Sequence, residues 1–176
     1  HVTWVNSGRA ALKWAWAALT EPYSEKSVCL LPAYLCPSVV QPFKEAGAKV
    51  EFYRVDEALQ IDIGDLRSRL RPDVRAVVII HYFGFRQSNA VFDVFESSDW
   101  GIHIIEDATH SWLSHFDSSV PEKRAITIYS PRKFFPIPDA AMAVADWRFY
   151  ETNVKVENPD WHFMVQRAIG LFFRWV

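Results

Sequence analysis

The chain has little of what marks several large classes of protein. Only two of its 176 residues are cysteines, Cys29 and Cys36, and this pair makes neither a zinc site nor a disulfide framework. The formal net charge is −2, so no basic surface for nucleic acid is predicted. No apolar run is as long as a membrane span. We therefore expect a cytoplasmic protein that binds no structural metal, nucleic acid or membrane.

The chain also lacks an initiating methionine and any internal repeat or low-complexity linker. Its first residues, His1 to Val5, resemble neither a signal peptide nor a natural start, so we expect the natural chain to begin upstream. A chain of this length can bury roughly 70% of the surface that it exposes when unfolded. One α/β domain is the expected organisation.

Hydrophobic residues, which make up half of the chain, occur in segments of two alternating kinds. Short apolar runs predict strands, and segments with helical spacing lie between them. The predicted strands are 28–31, 50–55, 76–80, 101–107, 125–129 and 140–145, and the predicted helices are 8–19, with Asn6 or Ser7 as its cap, 38–46, 62–70 and 90–97. This alternation predicts an α/β fold with a mostly parallel, mixed sheet and helices on both faces.

Polar side chains follow two of these strands at the edge where ligands bind in open α/β sheets. Asp107 ends one strand and precedes His110, while Ser130 and Lys133 follow the next strand. Two phenylalanines come directly after Lys133, and partial burial by them would lower the pKa of the lysine toward nucleophilic use. Individually, such an aspartate is more often a helix cap and such a lysine a solvated charge.

The start of the first helix supplies a further element. Its unpaired N–H groups make an anion site, and Gly8 lets a phosphate approach the backbone. An anion-binding helix start, a strand-end carboxylate, a serine and a lysine together meet the needs of pyridoxal phosphate. This cofactor requires donors for its phosphate, a carboxylate for its pyridine nitrogen and an amine for its aldehyde.

The same segments resemble the DegT/DnrJ/EryC1/StrS family of fold-type-I pyridoxal-phosphate enzymes, the sugar aminotransferases. The matching stretches are Ser7-Gly8-Arg9-Ala10-Ala11-Leu12, Leu31-Pro32-Ala33-Tyr34, Glu45-Ala46-Gly47-Ala48-Lys49-Val50, His81-Tyr82-Phe83-Gly84, Ile105-Glu106-Asp107-Ala108-Thr109-His110, and Ser130 through Asp139. The resemblance implies a cofactor-binding large domain over residues 1–146, incomplete at its N-terminus. Residues 147–176 would begin the connection to a C-terminal domain that is absent from the chain.

The resemblance also implies roles for individual residues. Lys133 would form a Schiff base with the cofactor and later move a proton, and Asp107 would pair with the pyridine nitrogen. Further contacts with the cofactor are implied for His110 beside it, for Ser7, Gly8, Arg9 and Ser130 at the phosphate, and for Tyr34 or Cys36 over the ring. No metal ligand is implied.

The implied reaction moves an amino group, typically from glutamate, to a keto group of a nucleotide-linked sugar, as in polysaccharide biosynthesis. A homodimer with a shared active site is implied as well, and the apolar segment 161–176 suits burial against a partner or a further domain. A family branch that dehydrates sugars has His in place of Lys133. A pyridoxal-phosphate enzyme with a different amino acceptor remains an alternative. A degenerate homologue with a structural or regulatory role is another, since Ala140-Ala141 replaces the family's usual glycine pair.

Overall fold

The computed structural model describes residues 2–20, 27–96, 100–112, 125–145 and 161–175. These residues contain a seven-stranded sheet with the order β1-β7-β6-β5-β4-β2-β3. The strands are β1 (Val2–Val5), β2 (Val28–Pro32), β3 (Lys49–Tyr53), β4 (Val74–Ile80), β5 (His103–Asp107), β6 (Ala125–Tyr129) and β7 (Ala141–Ala145). The five strands from β6 to β3 run parallel, whereas β7 and β1 are antiparallel to their neighbours. The predicted mixed, mostly parallel sheet is confirmed.

Helices cover both faces of this sheet. The α-helices of the described residues are α1 (Gly8–Thr20), α2 (Pro37–Glu45), α3 (Ile63–Arg69), α4 (Ala90–Glu96) and α5 (Trp161–Trp175). The first four contribute side chains to the core clusters on the sheet. Side chains of β4 alternate between two hydrophobic clusters, with Val78 in the cluster that contains α1 and α2 and Val77 in the cluster that contains α3 and α4. This alternation is the expected consequence of the two-residue period of a strand buried on both faces.

The ends of the helices follow from local hydrogen bonds. Ser7, rather than Asn6, caps α1, because its Oγ accepts the Ala10 N–H at 3.2 Å. Gly47 follows the end of α2 with a φ of 80°, which costs glycine little. The domain boundary expected near residue 146 falls outside the described residues, which resume at Trp161.

The helix α5 contains most of the apolar segment 161–176 and leaves much of its apolar surface uncovered. Its exposed large side chains are Trp161, Val165, Ile169, Phe172 and Phe173, of which Trp161 is 73% exposed. Among the helices of the described segments, none has the length and apolar character required to cross a bilayer. Burial of the α5 surface against a partner stays a prediction.

The strand register brings the candidate residues to one edge. Ile80 of β4 pairs with Asp107 of β5, and Asp107 pairs with Ile128 of β6. The segments that leave β4, β5 and β6 therefore emerge side by side, at the carboxyl ends of the parallel strands.

Candidate active site

A cavity of about 500 Å³ opens at this edge of the sheet. Five residues predicted from the sequence line it, namely Tyr34, Cys36, Asp107, His110 and Lys133. The other lining residues are Leu35, Ser38, Val39, Ile80, Tyr82, Phe83 and Thr109. The cavity thus combines an amine, a carboxylate and an imidazole with aromatic and aliphatic walls, which is the usual composition of a small-molecule site.

Thr109 connects the polar groups of the cavity. Its Oγ1 accepts a hydrogen bond from Lys133 Nζ at 2.8 Å, and its backbone N–H donates to Asp107 Oδ1 at 3.0 Å. A β carbon placed on Gly8 would lie 3.7 Å from Thr109 Cγ2, so the start of α1 touches the same residue. Sequence analysis assigned no role to Thr109, although its position between Asp107 and His110 at a strand end could have indicated one.

Lys133 belongs to a single turn of 3₁₀ helix, Pro131–Lys133, that follows β6. Burial lowers the pKa of its amine, and the charge of Arg132 acts in the same direction, while the Asp107 carboxylate opposes both. Although much of the Lys133 surface is exposed, its amine meets the buried Thr109. The fraction of neutral, nucleophilic amine is therefore raised relative to a solvated lysine.

One wall of the cavity is formed by Phe83 and His110, whose rings stack with 6.2 Å between centroids and 7° between planes. Phe83 has a φ of 53°, a region in which a non-glycine residue costs on the order of 1–3 kcal/mol. Gly84 follows with a φ of 90°, and a β carbon there would lie 2.8 Å from the His110 carbonyl oxygen. Burial and the charge of Lys133 lower the pKa of His110, which favours the uncharged imidazole.

A buried pair behind this wall fixes the turn that carries Phe83. His81 Nε2 lies 2.8 Å from Glu106 Oε2, and the Gln87 N–H donates to His81 Nδ1 at 3.3 Å. Because Nδ1 accepts this hydrogen bond, it carries no proton, and Nε2 is the protonated nitrogen that donates to Glu106. The His81 N–H also donates to the Asp107 carbonyl at 3.1 Å, so the turn is tied to the end of β5.

The segment between β2 and α2 forms the opposite wall. The Tyr82 hydroxyl donates to the Tyr34 carbonyl, and the two rings lie 5.8 Å apart. Ser38 Oγ donates to Cys36 Sγ at 3.1 Å, which lowers the pKa of the thiol, and Lys133 adds a smaller effect in the same direction. Since Tyr34 and Cys36 both line the cavity, both alternatives for the residue over the ring stand.

The remaining predicted residues lie apart from the cavity lining. Ser7 and Arg9 line a separate cavity of about 170 Å³ beside α2. Ser130 is 1% exposed, and its Oγ has no hydrogen-bond partner among the described residues. An orphaned hydroxyl of this kind calls for a ligand, because a buried polar group without a partner costs free energy.

These groups fit pyridoxal phosphate chemically. Lys133 supplies the amine, Asp107 retains acceptor capacity beyond its bond to Thr109, and the start of α1 and Ser130 supply donors suited to a phosphate. Within the described ranges no cluster of three or more His, Cys, Asp or Glu residues is arranged to hold a metal ion.

The comparisons with known proteins agree with this chemistry. The model of the DegT/DnrJ/EryC1/StrS aminotransferase family matches residues 1–143. No curated protein matches the chain significantly.

Solved structures with a similar fold include a sugar aminotransferase from Micromonospora echinospora, with a TM-score of 0.71 and 22% identity over 85% of this chain and 43% of that one. They also include GDP-4-keto-6-deoxy-D-mannose-3-dehydratase from E. coli with bound hydrated pyridoxal phosphate, with a TM-score of 0.69 and 21% identity over 86% and 41% of the two chains. Aspartate aminotransferase from Thermotoga maritima has a TM-score of 0.72 and 16% identity over 99% and 51%. The chain spans about half the length of these proteins, and the predicted fold-type-I architecture is confirmed.

Proposed function

The chain belongs to the DegT/DnrJ/EryC1/StrS aminotransferase family, and on this premise we propose that the protein is a pyridoxal-phosphate-dependent aminotransferase. The observation that carries the proposal is the Lys133 amine, which burial pushes toward its neutral form and which hydrogen bonds to Thr109. Asp107 lines the same cavity. A nucleophilic amine and a carboxylate in one cavity are the two groups that this cofactor needs most.

Each residue has a task that follows from its chemistry. Lys133 would hold the aldehyde of the cofactor and later a proton at Nζ, and Asp107 would place its carboxyl group beside the pyridine nitrogen. Ser130 and the first N–H groups of α1 would hold the phosphate, and His110 would lie beside the ring. When bound, the cofactor supplies the electron sink for chemistry at the amino-bearing carbon.

We further propose an amino acid such as glutamate as the donor and a keto group of a nucleotide-linked sugar as the acceptor. The support is the sugar aminotransferase among the similar structures. The uncovered apolar side chains of α5 support a homodimer with a shared active site, because apolar patches of this kind are rarely left in water. A cytoplasmic location is part of the same proposal.

The alternatives differ in what they require at Lys133. Sugar dehydration, named for one similar structure, is expected to use His at this position, so the lysine favours amino transfer. A degenerate homologue would keep the fold without the chemistry. Ala141, one of the two alanines in place of the family's usual glycine pair, is fully buried in the core cluster.

The test is the visible absorption spectrum of the full-length protein with pyridoxal phosphate. We expect a Schiff-base band that Lys133→Ala abolishes and that Lys44→Ala, a change of an exposed lysine on α2, leaves intact. Glutamate should bleach the band, and GDP-4-keto-6-deoxymannose, used as a trial acceptor, should restore it. A protein without the band, or with a band that survives Lys133→Ala, would contradict the proposal.

A further inference from the structure

Phe83 combines backbone strain with an exposed side chain. Its φ of 53° and ψ of 20° lie in the left-handed region, which bulky residues rarely adopt. The conformation is enforced from both sides, because the Gly84 N–H donates to the His81 carbonyl at 3.3 Å and the Phe85 N–H donates to the Tyr82 carbonyl at 2.9 Å. The strain is thus built into the turn.

Leu59 provides the comparison within the described residues, since it is the other non-glycine residue there with a positive φ. Its side chain is partly buried and packs against the core, so packing accounts for its conformation. Core packing does not explain the positive φ of Phe83, because its side chain is 69% exposed. Strained residues that contribute nothing to the core are typical of ligand sites.

The position of the Phe83 ring indicates which part of a ligand it contacts. Phe83 lines the cavity together with Lys133 and Asp107, and its ring stacks on His110. Because the pKa of His110 is lowered, the stacked pair is an uncharged, flat surface beside the amine. Such a surface favours the face of a ring over an open, charged chain.

We propose that Phe83 is a specificity-determining residue that packs against the ring of the amino acceptor and so selects cyclic over open-chain carbonyl compounds. The inference rests on the proposed function, because it concerns the acceptor of the same cavity. Phe83 takes no part in the chemistry and acts by contact with the part of the substrate next to the reacting carbonyl.

The experiment uses the full-length holoprotein with glutamate as donor and two acceptors, the cyclic GDP-4-keto-6-deoxymannose and the open-chain pyruvate. We expect Phe83→Gly to lower the ratio of kcat/KM for the cyclic to the open-chain acceptor roughly three- to tenfold, the size of one lost aromatic contact. The Kd of the GDP sugar, measured by calorimetry, should rise by the same factor. Phe83→Tyr, which keeps the ring, should restore both values.

Stability separates this role from a structural one. Glycine adopts the left-handed region without steric cost, so the thermal midpoint of Phe83→Gly should equal or exceed that of the parent protein. The matched control is Phe85→Gly, because Phe85 is 75% exposed and does not line the cavity. This control should leave the acceptor ratio unchanged.

Three outcomes would overturn the inference. The acceptor ratio of Phe83→Gly could equal that of the parent, or the variant could sediment as a monomer where the parent is a dimer, which would assign the ring to a subunit interface. The parent protein could also accept pyruvate and no cyclic ketone, which would leave the aminotransferase proposal standing. A parent protein without a Schiff-base band would instead contradict the proposed function.

Discussion

Replacement of Gly84 by alanine tests the link between the turn after β4 and the active site. Gly84 has a φ of 90°, and the added β carbon would lie 2.8 Å from the backbone oxygen of His110. An alanine pays about 1–2 kcal/mol for the left-handed conformation. Relief of the clash also requires the backbone to move, and overpacking of this kind typically lowers the free energy of unfolding by about 1–3 kcal/mol more. The expected loss in the free energy of unfolding is therefore about 2–5 kcal/mol.

Gly47 offers a matched control in the same chain. Its φ is 80°, but no atom lies within 4 Å of the position that a β carbon would take. Gly47→Ala should therefore show the conformational cost alone, about 1–2 kcal/mol. Urea unfolding of the two full-length variants, followed by tryptophan fluorescence, measures the difference, which is the contribution of the clash with His110.

The active site should respond to one variant and not to the other. Because the clash displaces His110, Gly84→Ala should weaken cofactor binding in a titration of the visible band, whereas Gly47→Ala should bind the cofactor as the parent does. Equal losses of stability in the two variants would refute the argument. A Gly84→Ala protein that binds the cofactor with the parent's affinity would also refute it.

Three further predictions concern the polar residues of the cavity. Borohydride reduction of the holoprotein should place the adduct on Lys133. Burial lowers the pKa of this amine below the ordinary 10.5, so its neutral form appears at a lower pH than that of a free lysine. Reductive trapping should therefore reach its plateau at a lower pH as well. An adduct on another residue would contradict the assignment. Asp107→Asn should keep the fold by circular dichroism while transamination falls roughly 10²-fold or more, as on removal of a stabilising charge; near-normal turnover would show that the role is wrong. Iodoacetamide should alkylate exposed Cys36 and spare buried Cys29. Because the Ser38 hydrogen bond lowers the pKa of Cys36, its alkylation rate should rise at a lower pH than that of an ordinary thiol. Bound cofactor should slow the alkylation, and equal rates with and without cofactor would exclude Cys36 from the site.

Much of the fold could be predicted because buried strands have a distinct sequence pattern. The apolar run 76–80 lies within β4, and the mostly apolar run 125–129 is β6, as expected for strands covered on both faces. Since the carboxyl ends of parallel strands share an edge, Asp107 and Lys133 were expected at the same place, and both line one cavity. The direction of β7 could not be predicted, because an antiparallel strand buried in the same sheet has the same apolar pattern.

The finer geometry of the site depends on contacts that no local pattern encodes. Thr109 bonds to Lys133 across 24 positions of sequence, and Phe83 has a positive φ without the glycine or asparagine that usually indicates one. Ser7 and Arg9 were grouped with Gly8 as a single anion site. The side chains of successive helix residues point about 100° apart, so a β carbon on Gly8 would face Thr109 while Arg9 lines a different cavity. The predicted binding of the phosphate by their backbone N–H groups stays a prediction.

The pairing of β1 with β7 has a consequence for the order of folding. Val2 pairs with Val144, and Val5 pairs with Ala141, so β1, the first strand of the described sheet, has no partner until β7, the last of its strands, has been synthesised. Contacts between residues so far apart in sequence form late, because the entropy lost on closing the long loop between them comes before the contacts can stabilise the fold. The helix that follows β1 contributes Gly8 to the cavity. On the ribosome, Gly8 should therefore join the cavity late, after the parallel strands have already brought Asp107 into place.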